Sequence, residues 1–187
     1  GSYVHELTGS WDNNATTTMT GSTIVFSATS TTETVDNTGA PTDAFNNVTF
    51  GTTTGSGVWN LTSVLDVNGA LEVARGTLAR GTTAIEVAGN LATRAAGFWT
   101  GTGTTTFDGA TGSTWLDQNP TLQSVGQAVI DGANKVVTLA GNVAADSVTI
   151  GANDTLDVSV SNHSVTVTGN WENQNNFLAR SGTVFFA

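Results

Sequence analysis

Residues 64–87 read VLDVNGALEVARGTLARGTTAIEV. Three short triplets stand out in this run: Leu65-Asp66-Val67, Leu71-Glu72-Val73 and Ile85-Glu86-Val87. Each places one acidic residue between two apolar ones. Alternation with a period of two is the strand signature, with one set of side chains inward and the other outward. Between the triplets lie Asn68-Gly69, Arg75-Gly76 and Arg80-Gly81. Glycine reaches positive φ and Asn tolerates it, so these pairs read as turns. Val48-Thr49-Phe50 and Val58-Trp59-Asn60-Leu61 repeat the same texture upstream. Strands so short and so closely spaced are poor material for a sandwich. They suit an all-β, right-handed parallel β-helix, a β-solenoid of about twenty residues per coil with about three sides, stacked at about 4.8 Å. Repeated β-sandwiches are the alternative architecture.

The expected inward set is Val48, Phe50, Leu61, Val67, Leu71, Val73, Leu78, Ile85, Val87 and Leu91. Farther along it is Leu139, Val148, Ile150, Leu156, Val165, Val167 and Trp171. The expected outward set is Thr, Asn, Asp and Glu. Threonine suits it because β-branching favours extended backbone while the hydroxyl meets water.

A longer period overlies the short one. Gly9, Gly89 and Gly169 are 80 positions apart, in HELTGSWDNN (5–14), IEVAGNLATR (85–94) and VTVTGNWENQ (165–174). The chain reads as one solenoid fragment over 1–187, built from units of about 80 residues: roughly 9–88, 89–168 and the start of a third at 169. It opens on Gly1-Ser2 and stops inside TVFFA, which reads as a piece of something longer. GNWENQNNF (169–177) resembles a binding motif, but its spacing makes it a coil signature: Gly169 turns the chain and Trp171 packs. The Asn side chains can bond turn backbone or neighbouring coils.

From Val165 to Phe186 the pattern is V-T-V-T-G-N-W-x-N-x-x-x-F-x-x-x-x-G-T-V-x-F. It resembles repeats in large bacterial surface and secreted β-solenoid proteins, the autotransporter-passenger-like and filamentous-haemagglutinin-like adhesins. The resemblance implies an extended rod that mediates attachment or forms extracellular fibres. It brings no catalytic residues with it.

Composition narrows the function. Fifteen acidic residues against five basic ones give a formal charge of −10. A phosphate backbone demands dense Lys and Arg, so nucleic acid is excluded as a partner. No run of apolar residues is long enough to span a membrane in this fragment. The absence of cysteine excludes disulfides and thiolate metal sites.

Carboxylates are the candidate reagents. Glu72 and Glu86 stand at outward strand positions, with Arg75 and Arg80 able to share their groove. Inter-coil salt bridging is the simpler reading of the same residues. Turn aspartates Asp36, Asp43, Asp108, Asp117, Asp131, Asp146, Asp154 and Asp157 leave room for an incidental calcium ion, although no calcium-loop motif is present. His5 and His163 lack partners at metal spacing. Trp99 and Trp115 are candidates for exposed aromatic contacts, Trp99 because it follows Phe98 and both cannot point inward. Five N-x-Ser/Thr sequons occur, at Asn14, Asn47, Asn60, Asn153 and Asn162, as a chain rich in Asn and Thr produces by composition.

The expectation is a structural extracellular module of a surface adhesin, stalk or fibre, not an enzyme, with a protein or glycan partner at a cell surface and end-to-end self-association. The alternatives are a carbohydrate-binding or polysaccharide-degrading β-helix and an ice-binding solenoid. The Thr-Thr-Thr runs at 16–18, 52–54 and 104–106 are too irregular for an ice-matching ladder.

Overall fold

A computed structural model describes residues 2–39, 44–54, 56–110 and 112–187. The alternating triplets form strands, and the strands wind into a right-handed parallel β-solenoid with a repeat of about 21 residues. The first coil carries β1 (Val4–Leu7) and β2 (Trp11–Asn13), and the second β3 (Thr23–Phe26) and β4 (Thr32–Asn37). The third has β5 (Asn47–Phe50), β6 (Val58–Leu61) and β7 (Leu65–Val67). Then follow β8 (Leu71–Gly81) and β9 (Ile85–Val87), β10 (Leu91–Gly101) and β11 (Thr104–Phe107), and β12 (Ser113–Asp117) and β13 (Gln127–Ile130). The next coil holds β14 (Val136–Leu139), β15 (Val143–Ala145) and β16 (Ser147–Ile150). The last strands are β17 (Thr155–Asp157), β18 (Val165–Val167), β19 (Trp171–Asn173), β20 (Asn176–Leu178) and β21 (Val184–Phe186).

Side 1 stacks in the order β1-β3-β5-β8-β10-β12-β14-β17-β20, and side 3 in the order β7-β9-β11-β13-β16-β19. Side 2 runs β2-β4-β6 into the second half of β8, and β15-β18-β21 take the same place in the later coils. Nine strands on side 1 make eight steps of about 4.8 Å, a rise of about 38 Å.

The ladder spacing varies while register is kept. Leu71 pairs with Leu91, and Leu91 with Trp115. Insertions are absorbed at corners because a slip of one residue would turn a whole strand inside out.

The core is a narrow column filled from all sides. Every residue of the expected inward set is buried except Trp171, which is partly buried and packs on Phe177 with ring centroids 4.9 Å apart. Phe26 stacks flat on Phe50 at 4.9 Å, as in-register ladders require of identical residues on successive coils. The expected short strands hold, with two corrections. β8 and β10 are each 11 residues long and round the corner between sides 1 and 2 without leaving the ladder. β8 bends at Arg75-Gly76, where Gly76 has φ 84°, and the β10–β8 register shifts between Thr93 and Ala96. The backbone bends there and keeps its hydrogen bonds.

The three similar segments fall at different corners. Gly9 lies between β1 and β2, Gly89 between β9 and β10, and Gly169 between β18 and β19. One local recipe, a strand, a small-residue turn and a new strand, serves each kind of corner. Glycine is demanded where coils touch: a Cβ on Gly89 would lie 2.4 Å from the Gly69 carbonyl oxygen. Asparagine tightens the same corners. Asn47, Asn90, Asn142 and Asn162 each accept at Oδ1 from a backbone N–H of the next coil, on Ala70, Thr114, Ser164 and Ser181, at 2.8–3.0 Å. This pins one coil to the next where the strand ladder is interrupted.

Candidate functional site

Stacking carries one outward row of side 3 into a charged cluster. Asp66 of β7 pairs directly with Glu86 of β9, and both alternate outward from Leu65, Val67, Ile85 and Val87. Asp108 follows Phe107, which pairs with Val87, so it stands at the corner of the next coil. Carboxylate oxygens of the three lie within 4.8 Å of one another, and each residue is half-buried. Like charges at this spacing resist ionisation together. Burial first, and then Glu86 and Asp108, push Asp66 up to about 6. Burial also raises Asp108, against the opposing pull of its own backbone N–H and Lys135. Asp108 Oδ1 is shut away from solvent with no hydrogen-bond partner among the described residues.

Lys135 lies inside the same corner. It is fully buried, and its ammonium donates to the Ala88 carbonyl two coils back. Burial lowers its affinity for the proton, while Asp108 and Asp154 act to raise it. Asp154 accepts from the Lys135 backbone N–H at 2.6 Å and from the Gly132 N–H at 3.2 Å.

Three carboxylates of this spacing are a hard, all-oxygen donor set that could hold a divalent cation. The orphaned Oδ1 of Asp108 fits that role, and Lys135 competes with it by supplying a fixed positive charge. Of the turn aspartates read as calcium candidates, only Asp108 joins the cluster. Asp117 instead accepts from the Asn119 and Gln123 backbone N–H groups at 2.9 and 2.5 Å, and Asp157 pairs with Arg180 at 2.6 Å. Asp43 lies outside the described residues.

The residues singled out from the sequence are dispersed. Glu72 and Glu86 do not face one groove: Glu72 is on side 1, ion-paired with Arg94 of the next coil, and Glu86 is on side 3. Strands that read as neighbours in sequence occupy different sides because the chain turns a corner between them. Arg75 is exposed at the bend of β8, whereas Arg80 is 1% exposed and points into the solenoid. Arg80 donates from Nη1 to Thr105 Oγ1 at 2.5 Å and the Val125 carbonyl at 2.8 Å, and from Nε to the Thr83 carbonyl at 3.2 Å. Its guanidinium carbon lies 5.9 Å from the centroid of the Trp99 ring. Burial lowers Arg80 to about 10 despite the pull of Asp146.

Both tryptophans assigned to the surface are core residues. Trp99 is buried on side 2, with Nε1 donating to Thr93 Oγ1 at 2.8 Å, and Trp115 is buried against Phe107. Phe98 is the exposed member of its pair. Trp99 pairs with Leu78 and takes the inward parity, which forces Phe98 outward. The sequence did not reveal the Asp66–Glu86–Asp108 cluster or buried Lys135. The available signal was acidic residues repeating at about one coil length, which becomes legible only once the coil length is known.

No protein-family model, curated protein or solved structure shows a significant match to the chain. Among the described residues no helix is long and apolar enough to cross a membrane, which says nothing of spanning by strands.

Proposed function

We propose that the chain is a structural repeat module of an extracellular adhesin, stalk or fibre, giving extension and a surface for attachment or assembly. The observation that carries this reading is the unbroken parallel ladder. Nine strands of side 1 stack without an interruption or a second core, so each coil buries the apolar face of its neighbour and none is stable alone. Such a rod transmits load along backbone hydrogen bonds and side-chain columns. The net charge of −10 favours a solvated outer surface. Attachment to a protein or glycan, location outside the cell, end-to-end stacking and the absence of catalysis belong to the same proposal. So does an incidental calcium ion at the Asp66–Glu86–Asp108 cluster, whose oxygen donors suit it.

The inward placement of Trp99, Trp115 and Arg80 supports this reading over a sugar groove built on those residues. Display of the chain on a non-adherent cell, followed by attachment and glycan-array assays, tests it. A rod-shaped scattering profile with gain of attachment is the expected result. Depolymerisation of a polysaccharide by the purified chain would overturn it.

A further inference from the structure

Asn68-Gly69 is the only Asn-Gly pair in the chain. It turns the corner between β7 and β8, next to the carboxylate cluster, and Asn68 is exposed. Its backbone N–H donates to the Phe45 carbonyl at 2.8 Å, but its side-chain amide has no hydrogen-bond partner among the described residues. The Gly69 N–H is likewise without a partner there. The matching corner at Ala88-Gly89 differs on both counts: it has no side-chain amide, and its glycine N–H is held by the Gly69 carbonyl at 3.0 Å. Four other asparagines at or beside corners are held. Asn47, Asn90, Asn142 and Asn162 accept backbone N–H groups through Oδ1.

We propose that Asn68 is a site of spontaneous deamidation built into this corner. The reaction needs an amide carbonyl carbon open to attack, a following backbone nitrogen free to lose its proton, and no Cβ to obstruct it. Solvent hydroxide removes the Gly69 proton, and the nitrogen bonds to Asn68 Cγ. The Cγ–Nδ2 bond breaks and ammonia leaves, closing a five-membered imide. Water then opens the ring at one carbonyl or the other. One product is aspartate. The other is an isoaspartyl link in which the chain runs through Cβ and gains a methylene.

Both products strain this corner. A new carboxylate two residues from Asp66 adds a like charge to the Asp66–Glu86–Asp108 row. The longer link has little room, because a Cβ on Gly69 would already lie 2.4 Å from the Asn46 carbonyl oxygen and the same distance from Asn47 Oδ1. The chemistry therefore acts as an ageing mark that loosens the stack at one defined coil.

The test is to incubate the whole folded chain in mildly acidic and mildly alkaline buffer. Proteolysis, mass spectrometry and an isoaspartate-specific methylation assay then locate the change. The expected result is that Asn68 carries most of the amide-to-acid conversion, faster at the higher pH, with aspartate and isoaspartate both present. Asn68→Ser should keep the β-sheet circular dichroism and abolish isoaspartate formation. The proposal is overturned if Asn68 stays intact in the folded chain while it converts in urea, because the corner then protects the amide. It is equally overturned if conversion falls mainly on another asparagine, such as Asn134 or Asn153.

Discussion

At the scale of the residue, close stacking makes glycine position-specific. A Cβ on Gly89 would press on the Gly69 carbonyl, whereas one on Gly9 would meet nothing within 4 Å. Gly89→Ala should therefore cost about 2 kcal/mol or more, through a forced separation of two coils. Gly9→Ala should stay within about 0.5 kcal/mol. Urea midpoints of the two variants, read by circular dichroism, check the contrast. Arg80 is the second instructive residue. Truncation to Ala leaves a cavity and removes donors from the Val125 and Thr83 carbonyls, a loss of about 3 kcal/mol. Arg80→Met keeps most of the volume and removes a buried charge, so it should be markedly less damaging than Arg80→Ala. Thermal denaturation of both variants would show the order, and equal losses would mean that the hydrogen bonds outweigh the packing. Arg80 also marks the point where local sequence ceases to fix the site. Arg75 and Arg80 look like one basic pair in LEVARGTLARG, yet the bend in β8 separates them, one to solvent and one to the interior.

At the scale of the element, side 3 carries a charge row whose cost depends on pH. Asp66 is raised from 3.8 to about 6, so the folded chain holds that proton more tightly than the unfolded chain. Its stabilising contribution is complete below about pH 4 and is lost as pH rises through about 6. Allowing for solvent screening, the swing is about 1 kcal/mol. Asp66→Asn should flatten stability across this window and raise it at neutral pH, as denaturant titrations at several pH values would show. Asp157 has the opposite sign. The Arg180 hydrogen bond, opposed by burial, holds its carboxyl below 3.8, so its contribution is present above that value and lost as pH falls through the lowered one. Asp157→Asn should destabilise at neutral pH and converge with the parent in strong acid. Elements of three residues, such as β7, β9 and β18, were legible because two apolar residues flanking one polar residue have few other uses. The continuous β8 and β10 were less so, because Gly and Arg inside them read as punctuation.

At the scale of the whole molecule, a solenoid is nearly one-dimensional, and protection should follow position along the axis. The central coils, with Leu71, Leu78, Ile85, Val87 and Leu91 fully buried, should exchange backbone hydrogen most slowly. Strands β1, β20 and β21, with Val4, Leu178, Phe185 and Phe186 exposed, should exchange first. Hydrogen exchange read by mass spectrometry would check this gradient, and uniform protection would indicate one all-or-none unit. The sequence by itself determined the class of fold, the inward column and the corners, because strand alternation, turn chemistry and coil length are local or nearly so. GNWENQNNF was correctly legible as a corner, with Trp171 packed on Phe177 and Glu172 exposed. Only the tertiary structure decided which residues meet across coils: Asp66 with Glu86 and Asp108, Lys135 with Ala88, and Arg80 with Val125. It also turned Trp99 and Trp115 inward. The reason is register. Corners of unequal length set which residue of one coil lies over which residue of the next, and that offset is fixed by packing along the whole column.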